Sequence, residues 1–238
     1  MQLYSYLLRT FVLISDQNIF MLIATKVCKA YNQVPVIQNV DFQVYPGTLV
    51  AIVGPSGAGK TTLLNLLSTL ERPDSGTVQL DGIDLKELKG AALAEFRNKK
   101  IGFVFQFHHL LPEFTLFENV CMPGYIGTMP KQEVEQKAHA LIQLLGINHC
   151  QHALPAHSSG GERQRAAIAR ALLLTPSVVF ADEPSGSLDT KHAALLHMLF
   201  KELCTSLQQT FVCVTHNPAL TAIADQVFVL EDGLLRPA

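Results

Sequence analysis

The residue types able to do chemistry concentrate first in nine consecutive positions: Gly54, Pro55, Ser56, Gly57, Ala58, Gly59, Lys60, Thr61 and Thr62. They fit the pattern G-x-x-x-x-G-K-[ST] of a phosphate-binding loop. The glycines let the backbone wrap a polyphosphate without Cβ clashes. Bare amide N–H groups and the positive end of a following helix then make an anion cradle. Lys60 can reach the outer phosphates, and the Thr61 hydroxyl suits a Mg²⁺ ligand. Four fixed positions recur by chance in about one chain in a hundred of this length, so context decides. An apolar run, Leu49 to Val53, precedes the loop, and Leu63-Leu64-Asn65-Leu66-Leu67 follows it. Strand, loop and helix in that order predict a nucleotide site.

A second set of reactive side chains ends apolar runs elsewhere. Val178-Val179-Phe180-Ala181 leads into Asp182 and Glu183, and ligands of open α/β sheets gather at the carboxyl ends of strands. Asp182 there can hold Mg²⁺ through its water shell. Glu183, one residue on, can reach an attacking water as general base. Ile101 to Phe105 ends at Gln106, and Phe211 to Thr215 ends at His216. Each has a plainer reading, Gln106 as a loop cap and His216 as a structural residue. Ser159 with Glu162 three residues later is a capping box, which alone accounts for both. Gly160 and Gly161 between them weaken a helix relative to alanine, yet a helix start with bare amides is a second anion-binding device. Two such starts imply a site assembled from two surfaces. The adjacent His108 and His109 do not share a face, and His149, His152 and His157 form no i,i+4 pair. The five cysteines are odd in number and scattered, with no C-x-x-C pair, so neither a disulfide framework nor a zinc site is expected.

The 238 residues can bury a sizeable core, as one large domain or two small ones. Net charge is −2 and dispersed, which argues against a nucleic-acid surface built on bulk electrostatics. Residues 1–20 are too short and too broken by Arg9 to span a membrane, and they lack a signal-peptide pattern. They read as an N-terminal extension, with domain-like patterning starting near Met21. From Met21 to Tyr45 the pattern is β, and Tyr31 in its turn offers a ring that could stack on a nucleobase. Thr77 to Leu80 predicts a strand turned by Asp81-Gly82, Glu87 to Asn98 a helix, and Thr115 to Leu145 helices interrupted at Pro123-Gly124 and Pro130. A helix from Ser187-Leu188-Asp189 to about Leu207 follows. A last strand, Gln226 to Leu230, is closed by an Asp232-Gly233 turn. The expected architecture is α/β, a mixed sheet with an antiparallel β subdomain and a helical insertion over about 113–174.

The phosphate loop, Gln106, Ser159-Gly160-Gly161-Glu162, Asp182-Glu183, Ser187-Leu188-Asp189 and His216 occur in the order of the ATP-binding subunits of ABC transporters, which residues 21–235 resemble. The resemblance implies a P-loop ATPase using ATP and Mg²⁺. Tyr31 would stack on adenine, Gln106 would sense Mg²⁺ and the γ-phosphate, Glu183 would be the base, and His216 would contact the γ-phosphate. Ser159, Gly160, Gly161 and Glu162, with Asp189, would complete the nucleotide site across a second copy of the chain. Ser158 departs from the usual leucine of that signature. Two integral membrane subunits and the cytoplasmic face of a bacterial inner membrane are implied as partners and place. Gln106 to Thr115 with Glu118-Asn119-Val120 is most similar to the ATPase of bacterial lipoprotein-releasing complexes. Related macrolide-type exporters and cell-division complexes share much of that stretch. The rival from another class is a soluble ABC-type ATPase acting on nucleic acid or ribosomes.

Overall fold

The computed structural model describes residues 20–238; the expected N-terminal extension lies outside them apart from Phe20. Two sheets form. Strands β1 (Leu22–Tyr31), β2 (Val34–Val44), β4 (Ser75–Leu80) and β5 (Ile83–Asp84) make an antiparallel sheet in the order β2-β1-β4-β5. Strands β3 (Leu49–Val53), β6 (Ile101–Phe105), β7 (Val178–Asp182), β8 (Thr210–Val214), β9 (Gln226–Glu231) and β10 (Leu234–Pro237) make the other, ordered β10-β9-β3-β8-β7-β6. Its pairs are parallel except β9 with β10.

The near-continuous apolar runs follow from burial on both faces of this sheet. Side chains alternate across a strand, so β7 sends Val178 and Phe180 into one core and Val179 and Ala181 into the other. In β8, Val212 and Val214 join the first, while Phe211 and Cys213 join the second. The first core is closed by the antiparallel sheet and by helix α1 (Lys60–Leu67), whose Leu63, Leu64, Leu66 and Leu67 are all buried. At about 1.5–3 kcal/mol per fully buried leucine, this helix is held by packing rather than by its eight-residue length.

The second core lies under helices α3 (Leu116–Ile126), α4 (Lys131–Leu144), α5 (Gly160–Leu172) and α6 (Thr190–Leu207). Helix α2 (Gly90–Lys100) runs directly into β6, and a short α7 (Pro218–Thr221) precedes β9. Glu87 is not helical as expected: Asp84 accepts from the Lys86 N–H and its carbonyl from the Glu87 N–H, so a turn occupies these residues first. Pro123 does not interrupt α3 either. Its carbonyl accepts from the Gly127 N–H at 3.0 Å and from Asn98 Nδ2 at 3.1 Å, which secures the last turn. Gly124 there lets α4 approach so closely that a Cβ would lie 2.6 Å from Val134 Cγ2. The Asp232-Gly233 turn does not end the structure; it is a hairpin turn leading into β10.

Candidate active site at the carboxyl edge of the parallel sheet

The parallel register brings the reactive strand ends to one edge. Phe105 pairs with Asp182, Asp182 with Val214, and Val214 with Ile52. Gln106, Glu183, His216 and the phosphate loop therefore leave neighbouring strands on the same side.

The loop from Gly54 to Gly59 delivers α1 without any side-chain cap on its first-turn amides. Gly59 is the N-cap, in the left-handed region at φ 96°; a Cβ there would press on Val36 and Ile37 at 3.0–3.1 Å. With no side chain on them, these amides form a cradle that fits an anion. Lys60 Nζ folds over the loop and donates to the Gly54 and Pro55 carbonyls, both at 2.9 Å. Thr61 Oγ1 donates to Asp182 Oδ2 at 3.0 Å. Burial raises the Asp182 pKa, the Thr61 bond opposes that rise, and the neighbouring Glu183 charge adds to it. A desolvated carboxylate beside a hydroxyl is an all-oxygen donor set, which fits a hard cation such as Mg²⁺.

Glu183 has φ 45°, the left-handed region, where a residue with a side chain is strained by about 1–3 kcal/mol. Bonds from its N–H to the Val214 carbonyl and from the Gly186 N–H to its own carbonyl, both 2.9 Å, hold it there. This turn aims the carboxylate at His216, whose Nδ1 lies 2.8 Å from Oε1. The His216 ring is largely solvent-facing, whereas the carboxylate is mostly covered. The carboxylate and its neighbour are thus fixed as a pair.

Gln106 is half-buried with its amide against Gly186, where an added Cβ would lie 2.9 Å from Nε2. Its carbonyl accepts from Ser187 Oγ at 3.1 Å. The loop beyond it is held by two residues to which the linear pattern assigned no role. Asn119, buried on α3, accepts from the Leu111 N–H at 2.7 Å and donates to the Leu111, Phe114 and Thr115 carbonyls at 3.0 Å. Arg170 on α5 donates to the His108 and His109 carbonyls at 2.7 and 2.6 Å. A polar residue at a buried helical position was the available signal for Asn119. Burial and the charges of Arg163 and Arg170 hold His108 below its ordinary pKa. Beside this loop, Phe103, Phe105, Leu111, Pro123 and Ile126 line an open groove of about 510 Å³.

Among the described residues, Ser159 bonds only within its own helix start. Ser159 caps α5 in a complete capping box: its Oγ accepts from the Glu162 N–H at 3.3 Å, and Glu162 Oε2 accepts from the Ser159 N–H at 2.7 Å. The Ser159 N–H first, then the Ser159 hydroxyl donating to Oε2 at 2.8 Å and the His149 contact, hold the Glu162 pKa down at about 2. The two glycines face Leu188 and His192 at the start of α6. Asp189 is the N-cap of α6, accepting from the His192 N–H at 2.9 Å. Buried Ser158 stands at the usual leucine position, and its hydroxyl donates to the Leu154 carbonyl at 3.1 Å, so the polar group is partnered. Tyr31, at the end of β1, is exposed; its hydroxyl donates to Glu71, and Lys29 Nζ sits 5.5 Å from its ring centroid.

Comparison with known proteins bears on the chain as a whole. The ABC transporter family profile matches residues 37–186. The chain is 47% identical over 212 residues to the lipoprotein-releasing system ATP-binding protein LolD of Cytophaga hutchinsonii, covering 89% of this chain and 97% of that one. It is 46% identical over 201 residues to LolD of Shewanella oneidensis, covering 84% and 87%. Its structure resembles the ATP-binding cassette MJ0796, solved as a dimer in a post-hydrolysis state with ADP and Pi, at TM-score 0.83 and 33% identity over 92% of this chain and 98% of that one. The family match over most of the chain and this kinship settle the family: the chain belongs to the ABC transporter family, as an ATP-binding subunit that hydrolyses ATP.

Proposed function

We propose that this ATPase powers the release of lipoproteins from a bacterial inner membrane, working as a pair of copies beneath two integral membrane subunits. The observation that carries the ATPase half is the convergence of the phosphate loop, Thr61–Asp182 and Glu183–His216 on one sheet edge. The cargo rests on kinship to relatives named for lipoprotein release. Among the described residues no helix is long and apolar enough to cross a membrane; a peripheral position on the cytoplasmic face follows from the proposed membrane partners.

In this reading the open amides of the loop and Lys60 bind the β- and γ-phosphates, and Tyr31 packs against the adenine. Thr61 and Asp182, assisted by Gln106, would hold Mg²⁺, which when bound would supply charge neutralisation on the phosphates. Glu183 takes the proton of the attacking water, and His216 keeps the carboxylate aimed while contacting the terminal phosphate. The Ser159–Glu162 turn, with Asp189, closes on the nucleotide of the second copy. That role explains why two glycines follow an otherwise self-sufficient cap. The groove lined by Phe103, Phe105 and Ile126 receives a segment of the membrane subunit, and the Gln106 loop couples it to the nucleotide.

The test is reconstitution with membrane proteins that co-purify with the chain from native membranes. ATP-dependent release of a lipoprotein from the vesicles, absent with Glu183→Gln, is the expected result. ATP turnover without any lipoprotein release, alongside transport of another substrate, would overturn the cargo but leave the ATPase reading standing.

A further inference from the structure

The tertiary fold assembles a set of metal-type ligands that the linear sequence keeps apart. His149 and Cys150 sit on the 3-10 turn Asn148–Cys150 after α4, and Glu162 is in the first turn of α5. One ligand atom from each lies within 4.8 Å of the other two. His149 Nε2 is 2.8 Å from Glu162 Oε1.

Glu162 divides its carboxylate between two tasks. Oε2 serves the cap, accepting from the Ser159 N–H at 2.7 Å and the Ser159 hydroxyl at 2.8 Å. Oε1 faces away from the cap toward His149, so a cation can replace the proton shared there without opening the helix start. Tetrahedral coordination at the usual metal–ligand lengths needs sulfur, nitrogen and oxygen about 3.3–3.6 Å apart. Nε2 and Oε1, now 2.8 Å apart, must part by about half an ångström, which a shift of the exposed His149 side chain supplies. The Cys150 thiol, which donates to the Ile147 carbonyl at 3.4 Å, gives up its proton when a cation binds.

We propose that His149 Nε2, Cys150 Sγ and Glu162 Oε1 form a binding site for a thiophilic divalent cation of the zinc class, with the fourth position left to water. A sulfur and an imidazole nitrogen select such an ion over Mg²⁺, which keeps to oxygen ligands. The site is separate in donor chemistry from Thr61 and Asp182. Its occupant would tie the end of the α4 connection to the first turn of α5, and it stands independently of the proposed cargo.

The experiment titrates the full chain with Co²⁺ alone, then with Zn²⁺. The expected result is one equivalent of Co²⁺ producing a thiolate-to-cobalt charge-transfer band, displaced by Zn²⁺ and unaffected by a large excess of Mg²⁺. Cys150→Ser abolishes the band, and His149→Gln weakens binding by about tenfold to hundredfold. Cys28→Ser, at another half-exposed cysteine, leaves the band intact. Wild type melts at a higher temperature with Zn²⁺, and Cys150→Ser does not. Absence of the band in wild type, its survival in Cys150→Ser, its loss in Cys28→Ser, or undiminished affinity in His149→Gln each overturns the site. The His149 change, on an exposed side chain, keeps the test decisive if the Cys150 variant folds poorly.

Discussion

Replacing Glu183 by Gln separates chemistry from binding at this site. The amide has the shape of the carboxylate, and its oxygen can still meet His216 Nδ1, now 2.8 Å away. The fold therefore stays intact, including the strained φ of 45° that backbone bonds to Val214 and from Gly186 maintain. What disappears is a group able to accept a proton from water. General-base catalysis contributes about 10²–10⁴ in rate, or about 3–5 kcal/mol of barrier, so kcat falls by that factor. Nucleotide affinity should not fall, because Lys60 and Thr61 are untouched. The Glu183 charge also pushes the Asp182 pKa up; removing it eases the ionisation of Asp182 and lessens repulsion of phosphate. ATP binding is then equal or tighter, and the closed dimer outlasts the wild-type one. Phosphate release by the reconstituted complex, fluorescent-nucleotide titration and size-exclusion chromatography with ATP measure the three quantities. Turnover within about threefold of wild type, far short of the loss of a general base, would refute the assignment of Glu183 as base.

Lys60→Ala removes a charge-assisted bond to phosphate worth about 1.5–3 kcal/mol, so the Kd for ATP rises about tenfold to hundredfold in equilibrium titration. Asn119→Ala strips several bonds from the loop after Gln106 and leaves buried backbone groups unpaired; chemical denaturation should show a loss of about 3 kcal/mol. Ile126→Asp places a charge on the exposed groove wall, and co-purification of membrane subunits should fail while soluble ATP binding persists. Glu162 has its folded-state pKa held at about 2 against an ordinary 4.5, chiefly by the Ser159 N–H. Its stabilisation is complete above that ordinary value and drains away as pH falls toward the folded one. Between pH 5 and 3, urea midpoints of wild type should drop more steeply than those of Glu162→Gln, as expected when a paired carboxylate is titrated away.

Much of this was legible in the linear chain because it depends on local physics. The Gly54–Thr62 loop needs only its own glycines, lysine and hydroxyls, and the near-continuous apolar runs of β3, β7 and β8 declare strands buried on both faces. The Ser159–Glu162 cap formed as read, since its partners lie three residues apart. Pro123 shows where local rules stop: propensity predicts an interruption, yet packing against Val134 and a bond from Asn98 keep the helix running. The same holds for the buried Asn119, whose partners are set by how the loop returns over α3.

By itself the sequence determined the chemistry available, namely a phosphate cradle, two carboxylates after a buried strand, and a polar residue at the end of two more. Only the tertiary structure decided which of these meet. Parallel register carries Gln106, Glu183 and His216 to one edge, and the left-handed turn at Glu183 points its carboxylate at His216. Contacts that join separate elements depend on how those elements pack, and no short-range preference encodes that. The gathering of His149 and Cys150 with Glu162, where spacing predicts no ligand set, has the same origin.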